Sequence, residues 1–378
     1  MQYREFGKLG FKVSAFGFGC MRLPVLENDS SKINEPEAIK MIRYAIDNGV
    51  NYFDTAYVYH GGKSELLVAK AIKDGYREKI KLATKLPVWK VCEYADFELL
   101  LDEQLKKLEV DYIDFYLLHG LNKGEWAKLK KLNVFKFLDN AVASGKIKYP
   151  SFSFHDELSL FKEIIDSYPW KMCQMQFNYL DTNYQAGTEG LQYAASKGVP
   201  VVVMEPLRGG SLSNSVPNDV KKIFDEAQIK RSPADWAFRW IGNFKEVVTI
   251  LSGVNTMEQL MENVEIFDKV LPNTMSKEEL AIVDRVVDIY NSRIKVGCTR
   301  CAYCMPCPSG VNIPEIFRLY NEASIFDRFE KNSENYKGFI KENSDASHCA
   351  ECGSCEAACP QHLSIIEKLK EASSALSR

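Results

Sequence analysis

A chain of 378 residues is long for one ordinary domain and suits a unit of about 250 residues with an appendix. With 46% hydrophobic and 26% charged residues it can bury a sizeable globular core. The net charge of −3 gives no reason to expect nucleic acid or an acidic membrane surface as partner, and no apolar run approaches the roughly 18 residues a spanning helix needs. The opening Met1-Gln2-Tyr3-Arg4-Glu5-Phe6 has no signal-peptide core, so a cytoplasmic location is expected.

Before residue 290, short β-branched or aromatic runs alternate with longer amphipathic stretches. A first strand is predicted at Val13 to Phe18. Others end near Asp54 (from Val50), Lys85 (from Ile80), His119 (from Tyr112), Ser153, Gln176 (from Met172), Met204 (from Val199) and Leu251 (from Val247). Between them, Glu37 to Ile46 and Phe97 to Leu105 carry apolar residues at helical spacing. Asp54 to Lys85 spans 31 residues, Lys85 to His119 spans 34, and His119 to Ser153 another 34. A (β/α)8 barrel of about 250 residues repeats at about 31. Strands alternating with helices imply a parallel sheet. A doubly wound sheet is the competing arrangement, but no GxGxxG follows the first strand. The predicted fold is therefore α/β, a (β/α)8 TIM barrel over residues 1–290, followed by a small, mainly helical domain over 291–378.

A barrel's active site lies at the C-terminal ends of its strands. Asp54, Lys85 and His119 each follow an apolar strand directly. One such residue is usually a solvated strand end or a satisfied core group. Three at the same relative position on consecutive strands argue for a site.

Cysteine usage splits the chain. Of 11 cysteines, Cys20, Cys92 and Cys173 are scattered, whereas the other eight lie beyond residue 297. In a cytosolic chain this reads as metal binding rather than disulfides. The first run is Cys298-x2-Cys301-x2-Cys304-x2-Cys307-Pro308, and the second is Cys349-x2-Cys352-x2-Cys355-x3-Cys359-Pro360. The second is the bacterial ferredoxin spacing, and the first is one residue short before its last cysteine. Three thiolates at x2 spacing wrap one cubane, while the fourth ligates the other cluster. One [4Fe–4S] cluster then takes Cys298, Cys301, Cys304 and Cys359; the other takes Cys349, Cys352, Cys355 and Cys307. Two zinc sites of four cysteines each are the rival, but zinc does not explain a proline after each terminal cysteine. Between the runs, helices are predicted at Ile313 to Tyr320, with proline in the first turn, and near Phe326 to Phe339. This tail resembles α-helical ferredoxins of electron-transfer subunits.

The segment Phe53-Asp54-Thr55-Ala56-Tyr57-Val58-Tyr59, then Gly61-Gly62-Lys63-Ser64-Glu65, resembles the aldo-keto reductase superfamily. So do Thr84-Lys85, Leu117-Leu118-His119, Gln176-Phe177-Asn178-Tyr179 and Gln259-x2-Glu262-Asn263. With the cysteine-rich tail, the whole resembles that superfamily's iron–sulfur branch. The resemblance implies a catalytic tetrad of Asp54, Tyr59, Lys85 and His119, with Tyr57 a decoy beside Tyr59. A phenol holds its proton at neutral pH and can give it to a carbonyl oxygen that is receiving negative charge. An ammonium beside it, Lys85, would ease that release, and Asp54 would hold the ammonium. His119 would orient the carbonyl.

The resemblance further implies a nicotinamide cofactor, NADP(H) or NAD(H). Ser153 and Gln176 would hold its carboxamide, and the loop of Glu205, Pro206, Leu207, Arg208, Gly209, Gly210 and Ser211 would wrap its pyrophosphate. Ser252, Gly253 and Asn255, then Gln259, Glu262 and Asn263, would meet the adenosine end. Three departures stand out. Ser153 is followed by Phe154 and His155 rather than asparagine, Met204 replaces the usual stacking aromatic, and no lysine or arginine lies in Ser252 to Met257. Tyr57, Phe154 and Tyr179 are expected near the pocket mouth. The implied activity is hydride transfer to a small-molecule carbonyl, in an oxygen-poor setting that spares the clusters. The rival functions are an electron-transfer module serving a ferredoxin or flavoprotein partner, and a non-catalytic nicotinamide-binding redox sensor.

Overall fold

The computed structural model describes residues 1–214 and 216–377. The chain forms two compact units: Met1–Gly209 with Ala234–Ser276, and Gly210–Pro233 with Lys277–Arg378. The helices Asn218–Asp225 and Lys277–Ser292 thus cluster with the second unit.

The first unit opens with an antiparallel pair, β1 (Tyr3–Glu5) and β2 (Lys12–Ser14). Eight parallel strands then close a barrel: β3 (Phe16–Gly19), β4 (Tyr52–Asp54), β5 (Lys81–Leu86), β6 (Ile113–Leu121), β7 (Ile147–Phe154), β8 (Met172–Gln176), β9 (Val201–Met204) and β10 (Val247–Ser252). They neighbour one another in sequence order, and β10 pairs with both β9 and β3. The strand predicted at Val13 to Phe18 is split. Lys12–Ser14 pairs with β1 outside the barrel, and only Phe16–Gly19 enters it. The reason lies in the turn between the first two strands. Phe6 and Phe11 pack with Tyr52, Phe115 and Tyr149 in one cluster. Burying an aromatic of this size contributes roughly 1.5–3 kcal/mol.

Strand register brings the polar strand-end residues together. Asp54 pairs with Ala83, so Lys85 lies two residues further along its strand. Lys85 in turn pairs with Leu117, so His119 lies two residues beyond that. Because side chains alternate with period two, each residue points to the same face as the position level with its predecessor. The stagger that closes a barrel therefore steps three inward residues toward one rim.

The second unit is helical. Ile313–Ile325, Phe329–Lys341 and Ile365–Leu376 pack around Val311, Ile316, Phe317, Leu319, Tyr336, Leu369 and Ala372. The first two answer the helices predicted between the cysteine runs. No helix among the described residues is long and apolar enough to cross a membrane.

Candidate functional site

Lys85 anchors the barrel site. It is fully buried, and its Nζ donates to Asp54 Oδ1 at 2.6 Å, to the Thr55 carbonyl at 2.8 Å and to the Tyr59 hydroxyl at 3.3 Å. An ammonium has three protons, and here each has an oxygen to meet. Burial alone would pull the Lys85 pKa down, but Asp54 and Tyr59 outweigh it and hold the pKa above its ordinary value. Burial pushes the Asp54 carboxyl up while Lys85 pulls it back. The geometry is that of an ion pair. Tyr59 opens the turn Tyr59–Gly62. Burial raises its phenol above the usual value, and the pull of Lys85 only partly offsets that.

His119 stands edge-on to Tyr59, ring centroids 6.1 Å apart, and 5.3 Å from the ring of the exposed Trp89. Burial, then Lys85 and His155, press its pKa down to about 3, so the imidazole is neutral. Its buried Nδ1 has no hydrogen-bond partner among the described residues.

Three neighbours of this site were not singled out from the sequence. Cys20, directly after β3, is a buried thiol whose pKa is pushed up by burial and by Asp54, with Lys85 opposing. Glu65 is fully buried and accepts from Thr84 Oγ1 at 2.7 Å and Gln104 Nε2 at 2.6 Å. Gln104 also donates to the Lys85 carbonyl at 3.1 Å, tying that network to the strand carrying the lysine. In the sequence Glu65 stands only within the resemblance motif and Gln104 lies on a predicted helix; the fold shows them as partners.

The aromatics expected at the pocket mouth lie elsewhere. The Tyr57 hydroxyl donates to Glu103 at 3.0 Å under the Lys107 ammonium. Phe154 is buried against Phe161, and Tyr179 against Trp240. Odd-numbered Ser153 and even-numbered Phe154 occupy opposite faces of β7, which sends the phenyl ring to the helix layer.

Of the residues named for a cofactor, Ser153 lies near the C-terminal end of β7, and Gln176, Met204 and Ser252 end β8, β9 and β10. Ser153 Oγ accepts from Gly120 N–H at 2.7 Å. Gln176 Nε2 donates to Asp181 Oδ2 at 2.8 Å, and Arg208 Nη1 lies 3.9 Å from Asp181 Oδ1. Met204 ends β9, with its sulfur 3.5 Å from Gln174 Nε2. Pro206 and Leu207 follow in a loop whose Glu205 and Arg208 are left-handed, φ 54° and 47°. Gly209, at φ 65°, ends the first segment of the first unit; Gly210 and Ser211 belong to the second, where Ser211 Oγ accepts from Arg328. Ser252 Oγ accepts from Asn263 Nδ2 at 3.1 Å, and Gln259 Oε1 accepts from Asn255 N–H at 3.1 Å. Gly253 follows β10, and Glu262 is exposed on the helix Met257–Phe267. These residues fit a dinucleotide, since the buried His119 Nδ1 awaits a partner and the glycines leave bare backbone at the strand ends.

In the second unit, a small cavity of about 20 Å³ is lined by Cys298, Cys301, Cys304 and Cys359, with Pro360, Ile313, Pro314, Phe317 and Leu363 among its walls. The fourth thiol, Cys359, comes from the other run. Cys307, Cys349 and Cys355 pack against the same apolar core, and Cys352 is exposed. Both runs turn alike. Arg300 and Ala302 are left-handed at φ 56° and 61°, and Glu351 and Gly353 at φ 53° and 74°. The first pair flanks Cys301 and the second flanks Cys352, so the backbone reverses alike around the second cysteine of each run. Four thiols around an apolar cavity are the donor set of an iron–sulfur cubane.

The aldo/keto reductase family model matches residues 15–288, and a 4Fe–4S dicluster domain matches residues 297–364. The chain belongs to the aldo/keto reductase family. A probable aldo-keto reductase of Glycine max is 37% identical over 158 residues, 38% of this chain and 42% of that relative's length. An L-galactose dehydrogenase of Arabidopsis thaliana is 26% identical over 314 residues, 76% of this chain and 95% of that protein. Among solved structures, an aldo-keto reductase from Bacillus halodurans in its holo form superposes with a TM-score of 0.63 at 26% identity, covering 76% of this chain and 96% of its own. The chain is thus an oxidoreductase of this family carrying an iron–sulfur domain.

Proposed function

We propose that this aldo/keto reductase reduces an aldehyde or ketone to an alcohol, using NADPH or NADH, and that two [4Fe–4S] clusters in its tail are accessory. The observation that carries the reading is the Lys85 ammonium, held by Asp54 and 3.3 Å from the Tyr59 hydroxyl. When bound, the nicotinamide supplies the hydride. The chain's residues manage the oxygen. Tyr59, protonated at neutral pH, donates its proton as negative charge grows there, and Lys85 stabilises the phenolate left behind. His119, neutral, offers a hydrogen bond rather than a charge. Ser153, Gln176, Met204 and the loops at Glu205–Gly209 and Ser252–Asn263 bind the dinucleotide. Nothing between Ser252 and Met257 is cationic, so that turn gives no grip on a 2′-phosphate.

A second reading, electron transfer to a ferredoxin or flavoprotein, draws on the exposure of Cys301 and Cys352. It must explain how a two-electron hydride becomes single electrons without a flavin. One anaerobic experiment separates the two. Nicotinamide and cluster absorbance are followed together, with and without a reactive aldehyde or quinone. Nicotinamide consumption only with the carbonyl, clusters keeping their colour, supports the reductase. Bleaching of the clusters without carbonyl favours the electron-transfer reading.

A further inference from the structure

Arg22 is a cation that the tetrad does not use. It ends the short turn Cys20–Arg22 that follows β3, and it is exposed. Its stem lies along Gly253, the first residue after β10. A Cβ there would stand 3.2 Å from Arg22 Cβ, 3.3 Å from Cγ and 3.4 Å from Cδ. Its guanidinium reaches the loop after β9, where a Cβ on Gly209 would stand 3.3 Å from Nη2. One side chain therefore crosses the ends of three adjacent strands, β9, β10 and β3, and glycine at two of them lets it lie flat on the backbone.

The distribution of charge singles this residue out. Arg208, in the same loop, already has Asp181 at 3.9 Å. The Glu205 carboxylate comes within 3.9 Å of the same Gly209 point, yet Arg22 makes no ion pair or hydrogen bond among the described residues. The loops after the seventh and eighth strands are where barrels of this architecture hold phosphate. A guanidinium meets phosphate oxygens bidentately, which an ammonium cannot do.

We propose that Arg22 is the ionic clamp for the diphosphate of the dinucleotide, reaching it from the first barrel strand across Gly253 and Gly209. The inference rests on the nicotinamide reading above and adds a binding residue to it. The other anion Arg22 could meet is a carboxylate on the substrate, and the test separates the two.

The test uses anaerobic protein with clusters intact, in wild-type, Arg22→Gln and Arg22→Lys forms. Titrations measure the affinity of NADPH, NADH, inorganic pyrophosphate and reduced nicotinamide riboside, which has no phosphate, at two salt concentrations. Arg22→Gln should weaken both dinucleotides roughly ten- to hundredfold and flatten their salt dependence. It should also abolish pyrophosphate binding and leave the riboside unchanged, with Arg22→Lys between. Dinucleotide binding unchanged in Arg22→Gln, or an equal loss for the riboside, overturns the clamp and leaves the reductase reading standing; unchanged binding points instead to a substrate carboxylate. Arg22-dependent pyrophosphate binding by a protein that takes no nicotinamide dinucleotide keeps the anion site and removes the cofactor reading.

Discussion

Lys85 Nζ and Asp54 Oδ1 lie 2.6 Å apart, with the two side chains 1% and 4% exposed. Taking two charges out of water is expensive, and their attraction offsets the cost only where the remaining donors are met. Here the Thr55 carbonyl and the Tyr59 hydroxyl meet them. The pair is thus both a structural unit and the support of the proposed acid.

That double role gives the first prediction. Lys85→Met leaves the Asp54 carboxylate buried without its cation and should destabilise the barrel by about 3–5 kcal/mol. Adding Asp54→Asn to it removes the stranded charge and should recover part of that loss. Denaturant unfolding of the three proteins, kept anaerobic, measures it. Equal stability of Lys85→Met and wild type would show that the pair carries no coupling.

Tyr59 is the group whose proton the carbonyl oxygen takes in the proposed reaction. Tyr59→Phe keeps the ring and its edge contact with His119 but has no proton to give. Carbonyl turnover should fall roughly 10²–10⁴-fold while dinucleotide affinity stays level. Tyr57→Phe should leave turnover nearly intact, because that hydroxyl is bonded to Glu103. Stopped-flow turnover beside a binding titration tells the two tyrosines apart, and a kinetically silent Tyr59→Phe would remove the acid from the mechanism.

Asp54, Lys85 and His119 could be read from the chain because their spacing follows the barrel repeat, whereas Tyr59 is named only through the family resemblance. What could not be read depends on three-dimensional neighbours. Val13 to Phe18 looks like one apolar strand, yet its first half pairs with β1 outside the barrel, beside Phe6 and Phe11. Phe154 looks like a pocket aromatic until strand alternation turns it outward. Glu65 carries no sequence signal of burial, since its partners Thr84 and Gln104 come from later elements.

His119 yields a pH prediction with a definite sign. Its folded pKa, about 3, lies below the unfolded value near 6.5. The unfolded chain therefore binds a proton below pH 6.5 that the folded barrel refuses. Stability contributed at this position is whole above 6.5 and is lost as pH falls, by up to about 1.4 kcal/mol per unit. Unfolding followed between pH 7 and 5 should show wild type losing more stability than His119→Asn. In the same window kcat/KM should carry no inflection from His119. An inflection near 6.5 that His119→Asn abolishes would mean that the histidine titrates freely and acts through its charge.

The last prediction concerns the crossing of the cysteine runs. Cys359 belongs to the second run but lines the cavity with Cys298, Cys301 and Cys304 of the first. Cys359→Ser should therefore behave as Cys298→Ser does, damaging the first cluster and sparing the second. Cys307→Ser should pair instead with Cys349→Ser. Iron content should drop by at most about four atoms in each variant, and the surviving electron paramagnetic resonance signal should sort them into these two pairs. Were Cys359→Ser to match Cys349→Ser instead, each run would hold its own cluster. The single-residue shortening before Cys307 makes that position the sharper test, since its thiol must still reach the centre wrapped by Cys349, Cys352 and Cys355.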